Sequence, residues 1–140
     1  MKKTLIIALS ILFFATAAFA AVYITANQKL VSWDAVKYAT DGTTPIPVDQ
    51  VSYRIYVANA LTDPNHANPA KIANNITGTS YLVTLNIEGR YDVGVSAVRT
   101  VNGLEINESP ITWSNISGVP DPWGIQYFMQ IGAPGGFKSN

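Results

Sequence analysis

Between Val22 and Trp113 the apolar residues come in short runs that alternate with polar residues, and this period of two constrains the fold most strongly. Successive side chains of a β-strand point to opposite faces, whereas an amphipathic helix repeats its apolar residues every three or four positions. The pattern therefore predicts short strands that each bury one face. The residues expected to face the core in the three clearest runs are Val51, Tyr53, Ile55, Val57, Tyr81, Val83, Leu85, Ile87, Tyr91, Val93, Val95 and Ala97.

Turn-forming residues interrupt these runs. The strongest hairpin signal is Val101-Asn102-Gly103-Leu104, because Asn-Gly adopts the positive φ angles of a type I′ turn. No helical segment separates the strands, so the sequence predicts an all-β fold whose architecture is an antiparallel β-sandwich or barrel. The other breakers are Asp41-Gly42, Pro45, Pro47, Asp63-Pro64-Asn65, Pro69, Glu88-Gly89 and Pro110.

Residues 1–20 have the features of a secretory signal peptide. Lys2 and Lys3 precede an apolar run from Leu5 to Phe14, and small residues end the segment at Ala18-Phe19-Ala20. The alternative is a transmembrane anchor, but the run is shorter than the ~20 residues that span a bilayer. We therefore expect cleavage before Ala21 and export. The mature chain is then extracellular or periplasmic and has no stable membrane span.

Composition excludes several functional classes. The 140 residues include nine Lys and Arg, nine Asp and Glu and no Cys, and the formal net charge is zero. A protein that binds nucleic acid by neutralising phosphates needs a basic surplus, so no nucleic-acid partner is expected. A chain without cysteine cannot form disulfides or a thiolate metal site.

Several residues of the predicted strands follow the pattern of a known domain family. Trp33 ends an early strand, and the run 53–57 reads Tyr-Arg-Ile-Tyr-Val. Leu85 lies six residues before Tyr91, which opens the pattern Tyr-x-Val-x-Val-x-Ala. Together with Asn107-Glu108-Ser109, these residues resemble a single fibronectin type III domain. The resemblance implies an immunoglobulin-like antiparallel β-sandwich with a tyrosine corner, and a role in protein recognition or in spacing other domains.

Six residues are expected to have structural roles in the core. Burial of the Trp33 and Tyr91 rings stabilises the fold if the indole N–H and the phenol O–H find acceptors. We expect the Tyr91 hydroxyl to bond back to the preceding loop. The six residues are Trp33, Tyr53, Leu85, Tyr91, Val93 and Val95.

The chain changes character after Trp113, and the sequence predicts three regions. These are the signal peptide 1–20, a fibronectin type III-like domain 21–115, and a linker with an apolar, aromatic tail 116–140. The tail is expected to bury its large side chains. It could add a strand to its own sandwich, pair with a partner protein or a neighbouring copy, or contact a membrane surface or aggregate. The candidate partner contacts are Trp123, Ile125, Tyr127 and Phe128.

The sequence predicts no catalytic, cofactor-binding or metal-binding constellation. His66 is the single histidine and lies in a turn-rich loop, where an exposed imidazole is expected. Asp41, Asp49 and Asp63 lie in or beside predicted turns, where Asp is favoured, and offer only a weak calcium site. Glu105 and Glu108 are three residues apart, so on a strand they would point to opposite faces.

These observations favour an exported, non-enzymatic binding or assembly module that makes protein contacts at the cell envelope or outside the cell. Its partner would be another protein, or a second copy bound through the tail. The alternative is a small carbohydrate-binding protein in which exposed Tyr38, Tyr56 and Trp123 stack on sugar rings. A flat, exposed row of these aromatics would favour that alternative, and their burial would count against it. A hydrolase is the third hypothesis.

Overall fold

The structure, a computed structural model, describes residues 21–115 and 122–129. The predicted signal peptide and parts of the predicted linker and tail lie outside the described residues. The described ranges contain a short 3-10 helix, Val48–Gln50, and nine strands. The strands are β1 (Val22–Thr25), β2 (Gln28–Ser32), β3 (Val51–Asn59), β4 (Ala70–Ile76), β5 (Ser80–Thr84), β6 (Gly89–Val101), β7 (Leu104–Glu108), β8 (Thr112–Trp113) and β9 (Trp123–Tyr127).

Seven of these strands form one sheet around β6. The order along its main path is β1-β9-β6-β3-β4, and β7 and β8 also pair with β6. Because β6 is 13 residues long, it pairs with β3 on one side and with β7, β8 and β9 in succession on the other. β2 and β5 form a second, two-stranded antiparallel sheet. The described part of the chain is all-β and contains no α-helix.

The two sheets share one hydrophobic core. Val31 and Val83 enter it from the small sheet, and Ile55, Val93 and Ile125 enter it from the large sheet. Burial of an apolar side chain of this size contributes about 1.5–3 kcal/mol to folding. Side-chain packing therefore joins the small sheet to the large one.

The residues predicted to build the core differ in burial. Three of the six are buried, and the other three are partly buried and pack against the core. The buried residues are Tyr53, Leu85 and Val93, and the partly buried ones are Trp33, Tyr91 and Val95. Ile87 departs from the predicted pattern, because β5 ends at Thr84 and leaves Ile87 exposed.

The polar tips of the two predicted core aromatics have different environments. The Tyr91 hydroxyl donates a hydrogen bond to the carbonyl oxygen of Ile87, 3.2 Å away, as expected. The Trp33 ring packs edge-on against Tyr53, with ring centroids 5.3 Å apart. Its buried Nε1–H, however, has no acceptor among the described residues. Tyr91 therefore ties the chain between β5 and β6, whereas Trp33 contributes by packing.

β6 is buried on both faces, so the expectation of one buried face per strand is wrong for this strand. Asp92, Ser96 and Val98 alternate with the core residues of β6, yet none is more than 3% exposed. Trp113 covers this outer face next to Gly94, with which it pairs. A Cβ on Gly94 would lie 2.9 Å from the Trp113 ring. Glycine is required here because any side chain would lift the indole from the strand.

The hairpin between β6 and β7 forms where the sequence predicts it. Val101 pairs with Leu104, and the two residues between them have positive φ angles, 52° at Asn102 and 77° at Gly103. These angles are those of a type I′ turn, whose twist matches that of the flanking strands.

The predicted tail contributes a strand to the molecule's own sheet. β9 lies between β1, with which it pairs in parallel, and β6, with which it pairs antiparallel. The chain leaves the edge of β6 after Ser114 and returns at Trp123, whose N–H donates to the Ser114 carbonyl oxygen at 3.0 Å. One expectation is corrected, because the sheets are not wholly antiparallel: β1 and β9 run parallel. β9, which follows residue 115, belongs to the large sheet.

Candidate functional site

The four tail residues suggested as partner contacts lie in different environments. Ile125 has no exposed surface, and Trp123 and Tyr127 pack partly buried against the core. Strand pairing on both sides of β9 holds these side chains in place. Ile125 is therefore unavailable to a partner in this fold. Phe128, which follows the last residue of β9, is exposed.

Phe128 belongs to a group of exposed apolar residues at one end of the large sheet. Gly89, the first residue of β6, pairs with Tyr127, and the Glu88 carboxylate accepts a hydrogen bond from the Met129 N–H. These contacts bring Ile87 to the same end as Phe128 and Met129. The three side chains are 73%, 44% and 69% exposed, respectively. We call them the apolar end patch.

A polar cluster lies on the outer face of β6, centred on Asp92. The Asp92 carboxylate is fully buried and accepts hydrogen bonds from the Tyr23 hydroxyl at 3.0 Å and from Asn115 Nδ2 at 2.7 Å. His66 Nε2 lies 3.0 Å from the same carboxylate. The His66 ring stacks on Trp113, with centroids 4.0 Å apart. These contacts join β1, the β3–β4 loop, β6 and the chain after β8.

The environment of Tyr23 keeps this residue a hydrogen-bond donor. Burial and the adjacent negative charge of Asp92 raise the pKa of Tyr23 to about 12, although Arg90, over the Tyr23 ring, acts in the opposite direction. The phenol therefore stays protonated well above neutral pH. It helps to satisfy a buried carboxylate, which would be costly without partners.

The expectation of an exposed imidazole at His66 is wrong. Its side chain is only 12% exposed, because the loop turns the ring onto Trp113 and toward Asp92. In the described part of the chain, Asp92 is its only side-chain hydrogen-bond partner, and no serine or threonine hydroxyl bonds to the ring. The arrangement fastens the β3–β4 loop to the sheet and does not supply an activated nucleophile.

A second polar network covers the outer face of β3. Arg54 forms a bidentate pair with Glu105, at 3.0 and 2.6 Å, and also contacts Glu108. Glu108 accepts further hydrogen bonds from Tyr56, at 2.6 Å, and from Ser96. Burial acts to raise the pKa of Glu108, but the bonds from Ser96, Tyr56 and Arg54 outweigh it and hold this pKa below its usual value.

Glu105 and Glu108 share this face, contrary to the expectation that they point to opposite faces. The pairing of β6 with β7 shifts register between Arg99 and Thr100. A bulge of this kind inserts an extra residue and so reverses the alternation. Arg54 pairs with both carboxylates, so neither of them is free of a partner.

The aromatics suggested for sugar binding do not form a flat row. Tyr38 is exposed, but Tyr56 is half-buried and donates its hydroxyl proton to Glu108. Trp123 is also half-buried and packs against the core between the sheets. Two of the three rings are therefore engaged within the molecule.

Two of the turn aspartates bind their own backbone. Asp41 accepts hydrogen bonds from the N–H groups of Thr43 and Thr44, and Asp63 accepts from those of Ala67 and Asn68. Across residues 21–115 and 122–129, no group of three or more histidine, aspartate or glutamate side chains is arranged to hold a metal ion.

Comparison with known protein families finds no matching family model, and comparison with curated proteins finds no match. In the part of the chain that the structure describes, no helix is long and apolar enough to cross a membrane.

Sequence reasoning missed the apolar end patch and the Asp92 cluster. The alternation places Ile87 in the core because Ile87 continues the preceding run. It places Asp92 on the face opposite the core because the neighbours of Asp92 are apolar. No signal in the sequence locates the cluster, because the pairing of Trp113 with Gly94 that builds it joins two separate strands.

Proposed function

We propose that this chain is an exported, non-enzymatic binding or assembly module of the fibronectin type III type, which makes protein contacts at the cell envelope or outside the cell. The observation that carries the proposal is the apolar end patch. Ile87, Phe128 and Met129 expose large apolar side chains together at one end of the sheet. Larger exposed apolar patches mark protein-interaction sites.

The geometry around the patch also suits a binding surface. The Glu88–Met129 hydrogen bond and the Gly89–Tyr127 pair fix the backbone beneath the patch. A partner that binds here therefore meets a preorganised surface and does not have to order it, which lowers the cost of association.

Three features support the fibronectin type III assignment. The two sheets share a core that includes Leu85 and lies against Trp33, the Tyr91 hydroxyl bonds back four residues to Ile87, and an Asn-Gly hairpin joins β6 to β7. An immunoglobulin-like sandwich also has two packed sheets and a tyrosine at a strand corner whose hydroxyl bonds back to the backbone.

Export follows from the sequence of residues 1–20 and is tested directly by the N-terminus of the processed protein. We expect the protein recovered outside the cytoplasm to begin at Ala21. Recovery of the chain with Met1 still present would contradict the proposed export by cleavage.

The contact surface is tested with two matched triple variants of the mature chain, residues 21–140. One carries Ile87→Ser, Phe128→Ser and Met129→Ser in the apolar end patch. The control carries Val48→Ser, Leu61→Ser and Leu104→Ser, three exposed apolar residues elsewhere on the molecule. Circular dichroism first establishes that both variants fold.

Each immobilised protein is then used to capture proteins from the envelope and culture medium of the source organism, with quantification by mass spectrometry. We expect the patch variant to lose a specific partner by about tenfold or more, since a few central apolar residues dominate most interfaces. The control variant should retain it. Equal capture by the patch variant and the unmodified chain would contradict the proposal.

A further inference from the structure

β2 has an unpaired edge. It pairs with β5 on one side only, because β1, the strand immediately before it, crosses to the large sheet and pairs with β9. Among the described residues, no strand lies against the second edge of β2. A cleft of about 170 Å³ lies beside Val31 and Ser32, and most of its lining comes from strands of the large sheet.

The hydrogen bonds at the two ends of the β2–β5 ladder show which backbone groups point to this edge. The Leu85 N–H donates to the Asn27 carbonyl oxygen at 2.8 Å, and the Trp33 N–H donates to that of Thr79 at 3.0 Å. Hydrogen-bonded and non-hydrogen-bonded pairs alternate along an antiparallel ladder. Odd-numbered residues of β2 therefore bond to β5. The backbone N–H and C=O groups of Gln28, Leu30 and Ser32 point to the unpaired edge.

The face beside this edge is uncharged and apolar at its centre. Leu30 is 64% exposed and pairs across the small sheet with Leu82, which is 49% exposed. The neighbouring positions on this face are polar but carry no charge: Gln28, Ser32, Ser80 and Thr84. Charge on β2 is thus confined to Lys29, whose side chain lies on the opposite face. The outer face itself lacks the charge that often prevents strands from pairing between molecules.

We propose that the free edge of β2 pairs antiparallel with β2 of a second copy of this chain, with Leu30 on the two-fold axis. A two-fold axis through Leu30 places Leu30 opposite Leu30 of the second copy. It also places Gln28 opposite Ser32 of the second copy. In each pair the outward backbone N–H and C=O groups face each other. The free groups of one edge thus match those of the other without a register shift. The result is a four-stranded sheet in the order β5-β2-β2-β5.

Side chains fit the same register. The outer face of the joined sheet gains a row of four leucines, Leu82 and Leu30 from each copy, and cross-strand apolar pairs stabilise sheets. Lys29 lies opposite Val31 of the second copy, so the two lysines do not face each other. The interface is isologous and closes, which gives a dimer and not a filament. This inference concerns a different surface from the apolar end patch and does not depend on it.

Sedimentation velocity of the mature chain, residues 21–140, over a range of concentrations tests the proposal. We expect a monomer–dimer equilibrium. Leu30→Lys would place two like charges together on the axis and raise the dissociation constant about tenfold or more. Leu104→Lys, at an exposed leucine of β7 on the other sheet, is the matched control and should leave the equilibrium unchanged.

A cysteine variant tests the register. The chain contains no cysteine, so Leu30→Cys introduces a single thiol, and cross-strand pairs on a two-fold axis come close enough for a disulfide. We expect mild oxidation to give a covalent dimer of Leu30→Cys and not of Leu104→Cys. A mature chain that is monomeric at all concentrations would overturn the proposal. A dimer that Leu30→Lys leaves intact would overturn it also. If the apolar end patch alone causes dimerisation, its triple serine variant abolishes a dimer that Leu30→Lys preserves.

Discussion

Tyr91 connects a local sequence pattern to the packing of the whole chain. Its ring packs against the core, and its hydroxyl donates to the Ile87 carbonyl oxygen at 3.2 Å. Tyr91→Phe keeps the ring and removes only this bond. We expect the variant to lose about 1 kcal/mol of unfolding free energy, the usual net value of a single hydrogen bond. Urea unfolding measures the loss, and an unchanged midpoint would show that the hydroxyl does not hold the loop.

The raised pKa of Tyr23 predicts that the folded protein loses stability in alkali. Its pKa is raised from 10.0 to about 12 in the folded protein, first by burial and then by the charge of Asp92. The folded state therefore holds a proton that the unfolded state releases from about pH 10 upward. The stability from this contact is fully present below that pH and is lost as pH rises toward the folded value.

Urea midpoints at about pH 9 and about pH 11.5 test this for the unmodified chain and for Tyr23→Phe. We expect the advantage of the unmodified chain over the variant to shrink at the higher pH. Tyr38→Phe, at an exposed tyrosine, is the control for general effects of alkali. An advantage that stays constant between the two conditions would contradict the assigned environment of Tyr23.

Sequence reasoning identified the role of Tyr91 but not that of His66. The Tyr91 contact spans four residues and belongs to a local pattern, so the sequence carries enough information to predict it. The His66–Asp92 contact joins a loop to a strand 26 residues away. It forms because Trp113 covers Gly94 and supplies a surface for the imidazole ring, and no local periodicity encodes that arrangement.

At the scale of elements, the burial and pairing of β9 determine the role of the tail. Ile125 is fully buried in the shared core, and β9 completes the pairing between β1 and β6. A mature chain that ends at Asn115 loses this strand and exposes the core. We expect it to lack near-ultraviolet circular dichroism, because the loss approaches the ~5–15 kcal/mol total stability of a typical domain.

A milder variant keeps this prediction measurable. Ile125→Ala should fold and lose about 2–5 kcal/mol, as expected for a large-to-small change in a core. Phe128→Ala, just beyond the strand, should change the unfolding free energy by less than about 1 kcal/mol because its side chain is exposed. A chain ending at Asn115 that folds with the stability of the full mature protein would show that β9 is dispensable.

The positions of the strands were more predictable than their partners. Alternation located β3, β5 and β6, and Asn102-Gly103 located the hairpin, because both signals arise from neighbouring residues. The pairing of β9 with β1 joins positions about one hundred residues apart in the chain and depends on which edges the rest of the fold leaves free. The sequence therefore left three alternatives for the tail, of which the structure shows the first.

The bulge between β6 and β7 is the reason that the predicted faces of Glu105 and Glu108 were wrong. Alternation assumes an unbroken strand, so it placed Glu105 and Glu108 on opposite faces. The register shift between Arg99 and Thr100 brings both carboxylates to Arg54. A one-residue irregularity changes the face of every later side chain, and its position depends on the partner strand.

At the scale of the whole molecule, both sheets and the tail strand contribute to one core. Val83 from the small sheet, Ile55 from the centre of the large sheet and Ile125 from β9 are all fully buried in the same cluster. Residues that share a core tend to open together, and regions that lack buried contacts open alone. β9 should therefore unfold with the rest of the domain, and Phe128 and Met129 are the contacts that the end of β9 offers to a partner.

Hydrogen exchange of the mature chain, resolved to single strands by NMR or mass spectrometry, tests whether β9 unfolds with the rest of the domain. We expect backbone amides of β9 that bond to β1 or β6 to exchange with the same opening free energy as those of β3 and β5. The exposed residues around Asn102 and Gly103 should exchange faster. Exchange of β9 as rapid as that of the turn, with β3 and β6 still protected, would show that the tail is not a strand of its own sheet.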